Sequence, residues 1–503
     1  PASPFPAGDQ PVGAVVYNAG TDTLRRITLD WSANGEMQST LTYTDTLTPG
    51  QQDTVLLGNY PFTPTDLVQF QAWTSAPNFQ PDPNVQNDTV LSAPVRAGFD
   101  GTYTVGLSDS ADFTSFTEAI TALQEGRVLG PVTIQGEPGV YSEYLYLPPI
   151  TGVSAENSLT FQGVPGDSSQ VVIEFVGTSS NQATVLMEGL SHVAFRDLTL
   201  KNSGTSGFVV RTLAHSQHVT FEGCHLELGN TVSTIVYADG NGRLDSLRLE
   251  GNRLESGNIG LWLSGYGGGD QVKYPVIRNN VFSAQNARWM YLDEVNYVVI
   301  EGNRMEKPQN RDFFGLTLRD LYEGAKITNN DLYIDYRGTA VDFNYCNGSS
   351  ADTALFASNR IYVGGTGRGR AITIGYSPGW SFFHNSVWST HEHGSEGHAF
   401  YANNSSDLTL RNNIFYQTGG QTAVELVNST TGLISDHNNF ATTGPILVRA
   451  TVLGDLATLN EWQIQSGQDA NSLSENPFFY GSQDLHTRQI ALDNAGTPLA
   501  EVP

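Results

Sequence analysis

Asp293, Arg319 and Asp342 are the residues of this 503-residue chain whose types and spacing best suit chemistry on a sugar. If the intervening chain forms one turn of a repeating structure per carboxylate or guanidinium, the two aspartates lie two turns apart, roughly 10 Å at the β spacing. That is near the range for inverting glycoside hydrolysis, with one carboxyl as general acid and the other as base. Arg319 between them suits a different reaction, β-elimination by a polysaccharide lyase, in which an acidic pair could hold calcium to acidify the α-proton of an anionic sugar. Trp262, Tyr291, Arg288, Asn344, Arg370, Tyr401 and Asn403 would supply a binding surface around them. Aromatic rings stack on the apolar faces of sugars, amides bond hydroxyls, and guanidinium groups fork onto carboxylate or sulfate.

Other chemistry-bearing groups are weaker. His391, Glu392, His393, Glu396 and His398 are dense in metal-ligand types, yet their spacing matches no zinc pattern, and the glycine-bearing stretch between Trp388 and Ala399 is expected to be a solvated turn. Asp82, Asn84, Asn87 and Asp88 could offer oxygen ligands to calcium, but an ordinary polar loop explains them as well. Gly364 to Gly369 lacks the strand-to-helix setting of a phosphate-cradling loop. Cys224 and Cys346 are several turns apart, too far for a disulfide, and Cys224 is expected to be a small buried apolar residue.

What must position the sugar-facing residues is a repeat. Asn252, Asn280, Asn303, Asn330, Asn359, Asn385, Asn413 and Asn438 recur at intervals of 23 to 29 residues, each within an apolar, two small or polar, Asn, any, apolar pattern such as Leu249-Glu250-Gly251-Asn252-Arg253-Leu254. About 27 residues per turn is a three-strand coil. Stacked at the β spacing, the asparagines superpose and their amides form a ladder. Cys224 takes the equivalent slot one turn earlier. Period-two alternation in a second strand then builds an outward column of Trp262, Tyr291, Thr317, Asp342, Thr373, Tyr401 and Glu425 beside another of Asp293, Arg319, Asn344 and Asn403. The same column is also explained by the β propensity of Trp, Tyr and Thr on an exposed strand face. Of the 25 Lys+Arg residues, 12 fall between Lys273 and Arg370, so basic charge concentrates mid-solenoid, with Arg288, Arg319, Arg337 and Arg370 on or just before this face.

Residues 1–97 alternate short β-patterned runs with turns (Asn18-Ala19-Gly20, Asn34-Gly35, Pro49-Gly50), as an antiparallel sandwich does. Phe116, Ala119, Ile120 and Leu123 then fall at helical spacing, predicting a short amphipathic helix that caps the solenoid occupying 98–503. With 51 Asp+Glu against 25 Lys+Arg the formal charge is −26, which argues against nucleic acid and anionic membrane as partners. No apolar run approaches the roughly 20 residues of a membrane helix. The chain starts at Pro1 and ends just after Asn494-Ala495-Gly496-Thr497-Pro498, so it is expected to be part of a longer polypeptide.

The repeat resembles the pectate-lyase-like superfamily of right-handed parallel β-helices over roughly 400 residues, which implies the fold and, weakly, a role with polysaccharide. Val16-Tyr17-Asn18-Ala19-Gly20-Thr21 with Leu47-Thr48-Pro49-Gly50 is similar to adhesion-type immunoglobulin-like modules of bacterial surface proteins. Gly101 to Gly106 through Phe161-Gln162-Gly163, and Asn460-Glu461-Trp462 with Asp469, look like the ends of β-helix modules in large exported proteins of Bacteroidetes-type bacteria. No paired-aspartate hydrolase signature is present. These features together imply an all-β, secreted or cell-surface protein presenting a carbohydrate-binding or adhesive face to a glycan. A lyase or glycoside hydrolase and a non-binding spacer or filament element are the alternatives.

Overall fold

The computed structural model describes residues 4–178, 182–267, 270–307, 312–348, 354–365, 369–393 and 396–500. The chain divides into two compact units, Pro1–Gln135 with Ile150–Leu159, and Gly136–Pro149 with Thr160–Pro503.

The first unit opens with two antiparallel sheets. Gly8–Tyr17 pairs with Gln52–Phe62. Ile27–Ala33 pairs with Glu36–Met37, Leu41–Tyr43 and Phe70–Ser75, and Thr89–Leu91 adds to the last of these. Inward-facing Val16, Ile27, Leu29, Trp31, Phe62, Val68 and Phe70 form its core. Asn34 and Gly35 both take positive φ, the tight hairpin turn that their sequence predicts. The helix is present at Phe116–Gly126. Ser115 caps it by accepting from the Glu118 N–H, and it buries Phe116, Ala119, Ile120 and Leu123.

The second unit is a parallel β-solenoid of about 12 turns, of the right-handed type. Each turn passes through three sheets, as in Val299–Glu301, Arg304–Lys307 and Phe313–Arg319, before the next begins at Lys326–Thr328. The first sheet has 12 strands, from Gly139–Ser142 to Asn439–Thr442, and the second has 13, from Leu145–Leu147 to Gly454–Leu456. The third carries, among others, Ser191–Arg196 through Ile434–Asp436. Stacking places like on like: Phe161, Phe195 and Phe221 stack with ring centroids 5.2 and 5.0 Å apart.

All eight repeat asparagines superpose as a buried ladder at the corner between the third and first sheets. In the first seven, the backbone N–H and Nδ2 both donate to Oδ1 of the asparagine one turn on, at 2.9 and 3.0 Å for Asn252 onto Asn280. Nδ2 also donates to a carbonyl of the turn before, Phe221 in that case. The residue preceding every ladder asparagine has positive φ: Gly251, Asn279, Gly302, Asn329, Ser358, His384, Asn412 and His437. This explains why small or polar residues recur there. Cys224 heads the ladder, its N–H donating to Asn252 Oδ1 at 2.9 Å.

A second ladder lies at the corner between the second and third sheets. Cys346 N–H donates to Ser377 Oγ, Ser377 N–H to Ser405 Oγ and Ser405 N–H to Ser429 Oγ, at 2.8, 3.0 and 3.0 Å. Each cysteine thus stands at the first rung of a polar ladder, is free, and has its thiol pushed up to about 12 by burial. Ser377 Oγ also donates to the Gly375 carbonyl at 2.7 Å. Ser377→Ala strands the buried Cys346 N–H, while the Gly375 carbonyl keeps the Tyr345 N–H, and we expect a loss of about 2 kcal/mol in urea unfolding; an unchanged midpoint would show that the second ladder contributes nothing.

Candidate functional site

The outward column that the repeat predicts is present in register. Trp262 pairs with Tyr291, Tyr291 with Thr317, Thr317 with Asp342, Asp342 with Thr373, Thr373 with Tyr401, and Tyr401 with Glu425. The neighbouring column runs Asp293, Arg319, Asn344, Gly375, Asn403. Flanking residues such as Leu261, Leu263, Met290, Leu292, Val341 and Phe343 are buried, so the alternation fixes this outer strip of the second sheet, within which Thr317 is buried as well.

Asp342 is its centre. The carboxylate is half-buried and, among the described residues, has no hydrogen-bond or ion-pair partner. Burial raises it above the usual carboxylate range, while Arg370, Arg288 and Arg319 pull it the other way. Arg288 Nε donates to Thr317 Oγ1 at 3.0 Å, and burial lowers this guanidinium's own affinity for its proton against the pull of Tyr291 and Asp342. Arg319 Nη1 donates weakly to the Tyr291 hydroxyl at 3.5 Å, and that hydroxyl donates to Asp293 Oδ2 at 3.0 Å. Asp293 and Asp342 stand in different columns with the Phe313–Arg319 strand between them.

The aromatic residues point outward but do not leave both ring faces free. Trp262 and Tyr291 pack on each other with centroids 4.2 Å apart, and Tyr237 and Phe208 extend the stack at 5.8 and 4.9 Å. Arg370 covers the Tyr401 ring at 3.7 Å, with His398 beside it at 5.8 Å. Stacking along the solenoid axis turns faces toward neighbouring rungs, so the strip offers solvent mainly ring edges, hydroxyls, guanidiniums and the amides of Asn344 and Asn403. This revises the expectation of ring faces laid open to sugar.

The stretch from His391 to His398 also differs from the solvated turn expected of it. His391 and His398 are buried, and Glu392 and His393 are exposed. His391 Nδ1 lies 3.2 Å from the Gly365 carbonyl, whereas His398 Nε2 lies 2.8 Å from Glu425 Oε2. Burial works to raise the Glu425 carboxyl, and His398, Arg449 and Arg370 outweigh it and hold the group below its ordinary value. In the first unit Asp82 and Asp88 line a cleft of about 520 Å³, where burial and then Asp82 raise the Asp88 carboxyl. Asn84 N–H donates to Asp82 Oδ1 at 2.8 Å, so part of this loop serves its own turn. Among the described residues no group of three or more His, Cys, Asp or Glu is arranged to hold a metal. Residues 366–368 of the glycine-rich stretch lie outside the described residues.

A second aromatic column was missed. On the first sheet Tyr333, Tyr362, Trp388 and Tyr416 stand in register, with Tyr333 and Tyr362 stacked at 5.2 Å. Each is the third residue after a ladder asparagine, so the repeat alone could have located it. Phe479 covers Trp388 and Tyr416, at 5.9 and 6.2 Å, and Ser482 and Gln483 reach the Tyr333 hydroxyl. This column is therefore packed beneath the chain's own final segment, unlike the strip centred on Asp342.

No family model matches the chain, and no curated protein matches it. Solved structures with a similar course of chain include the Dettilon tailspike protein, at 12% identity and a TM-score of 0.40, covering 70% of this chain and 68% of that one. The lacto-N-biosidase of Eubacterium ramulus is similar at 10% identity and a TM-score of 0.38, covering 70% and 67%. The α-1,3-glucanase catalytic unit of Streptomyces thermodiastaticus is similar at 15% identity and a TM-score of 0.33, covering 89% and 80%.

Proposed function

We propose that the outer strip of the second sheet, from Trp262 to Glu425, is a polysaccharide-binding face, and that the protein works outside the cell or at its surface as an adhesive module. The observation that carries this is the register: seven successive rungs bring aromatic edges, hydroxyls, amides, arginines and Asp342 onto one straight surface. An extended polymer meets the same spacing at each rung, about 4.8 Å. In this reading the antiparallel first unit is an immunoglobulin-like spacer and the Phe116–Gly126 helix covers the solenoid's end. Among the described residues no helix is long and apolar enough to cross a membrane.

The raised, unpartnered Asp342 favours a second reading, in which the strip also turns its ligand over. Retention on a panel of immobilised polysaccharides, with analysis of released products, separates the two. For a retained polymer, Tyr401→Ala is expected to weaken binding about tenfold, because it removes both a hydroxyl and the ring under Arg370. Trp262→Ala should act in the same direction. Unchanged retention by both variants would rule out this face. Product release that Asp342→Asn abolishes would establish turnover.

A further inference from the structure

The second column of the strip has a gap in its middle. Between Asn344 and Asn403 the strand Ile372–Gly375 contributes Gly375, so three successive rungs read amide, no side chain, amide. Neither backbone nor packing requires a glycine there. Its φ lies outside the left-handed region, and a Cβ at this position would meet nothing nearer than Phe343 O at 3.7 Å and Asn344 Oδ1 at 3.8 Å. A glycine inside a strand weakens it, and one that the fold does not need marks a place where another group comes close. Among the described residues nothing fills that space.

The two amides bordering the gap face it with opposite polarity. Asn344 Oδ1 is directed toward it, and among the described residues this side chain has no hydrogen-bond partner. Asn403 Oδ1 is taken by Asn404 Nδ2 at 3.0 Å, which leaves the Asn403 Nδ2 as the donor. An acceptor and a donor two rungs apart, roughly 10 Å between their backbones, admit one planar secondary amide between them, its N–H toward Asn344 and its carbonyl toward Asn403. Amides stacked at the β spacing form such ladders by themselves. On the corner side stand Tyr345 and Tyr376, in register, half exposed and stacked with ring centroids 5.1 Å apart. Both have positive φ, whereas the next two rungs place Asn404 and Asn428 at this corner, a residue type at ease in the left-handed region as a bulky ring is not. The tyrosines held there against backbone preference give the gap an apolar wall.

We propose that the strip binds glycans bearing N-acetylated amino sugars, and that an acetamido group enters at Gly375 as the missing rung of the column from Asn344 to Asn403. The inference rests on the binding face above and names its ligand class. The acetamido N–H donates to Asn344 Oδ1, its carbonyl accepts from Asn403 Nδ2, and its methyl meets the tyrosine wall. A sugar with a hydroxyl in place of the acetamido group is too short to serve both amides, so one of them loses its partner on binding.

Chitohexaose and cellohexaose share length, linkage and neutrality, and differ in an acetamido group against a hydroxyl on each ring. Calorimetric titration of the full chain should give a Kd about tenfold lower for chitohexaose. Gly375→Asn supplies the rung from the protein itself. It should erase the preference and leave the urea midpoint no lower than that of wild type. Asn403→Asp keeps the bond from Asn404 but removes the donor, and should weaken chitohexaose binding about tenfold; it decides alone if Gly375→Asn does not fold. A preference that survives in the folded variants overturns the seat at Gly375. Equal binding of the two hexasaccharides, or binding of neither by a chain that retains only polymers without acetamido groups, overturns the acetamido class and leaves the binding face standing. Failure of the wild type to retain any polymer of a broad panel overturns both.

Discussion

Asn330→Leu is expected to lower stability by about 4 kcal/mol, close to the largest effect a single side chain produces. Leucine has the same branching, but its methyls cannot approach as closely as the bonded oxygen and nitrogen do, so lost bonding and crowding add. Asn330 Oδ1 accepts from the Asn303 N–H and Nδ2, at 3.0 and 2.9 Å, while its own Nδ2 donates to Ile300 O, Thr328 O and Asn359 Oδ1 at 2.9, 3.0 and 3.0 Å. Asn330 is fully buried, so water cannot replace these partners. Each group left unpaired costs roughly 1–3 kcal/mol, offset in part because Asn359 Oδ1 still receives the backbone N–H of residue 330. A solenoid is coupled mainly between adjacent turns. The damage should therefore appear as a local rise in amide exchange around Asn303 and Ile300, together with a lower urea midpoint. A loss below about 1 kcal/mol would mean that hydrophobic stacking, not the ladder, holds the turns in register.

The asparagine repeat made the solenoid legible because one side-chain amide at a fixed corner satisfies both the rung above and the rung below, and no other residue type does this as well. Register followed from it, and with register came every residue of the column from Trp262 to Glu425. What sequence could not supply is how neighbouring side chains divide their surfaces. Trp262 and Tyr291 are both outward and both half-buried, yet their contact at 4.2 Å removes the ring faces that made them attractive. The serine ladder was hidden because serine is common in exposed turns, although Ser377, Ser405 and Ser429 are spaced by 28 and 24 residues, much as the asparagines are. His391 and His398 flank exposed residues, so the local composition looks like a solvated loop. Only the third dimension brings Gly365 and Glu425 against their rings.

Asp469→Ala is expected to be as costly as the loss of a ladder rung, about 4 kcal/mol, and to act at the opposite end from Cys224. A ladder of donors needs a terminal acceptor, and Asn438, the last rung, finds one outside the repeat. Its Nδ2 donates to Asp469 Oδ1 at 3.1 Å and its N–H to Ser472 Oγ at 2.8 Å. The same carboxylate accepts from Ser472 Oγ at 2.6 Å and from Trp462 Nε1 at 2.7 Å. Trp462 comes from the helix Leu459–Ser466, which is fixed by a Thr458–Glu461 capping box and closed by Gly467 in the left-handed region. One buried carboxylate therefore joins the ladder, the final helix and the segment that follows. Alanine leaves the Ser472 hydroxyl and the Trp462 indole N–H without an acceptor, while Asn438 Nδ2 keeps Leu410 O and Ser435 Oγ. Asparagine keeps one carbonyl oxygen and tolerates the positive φ of this position, so Asp469→Asn should lose roughly half as much. Limited proteolysis of the last turn, read beside urea unfolding, should rank wild type above Asp469→Asn and Asp469→Ala last. Equal resistance in all three would show that the repeat ends by itself and that Trp462 packs there for its ring alone.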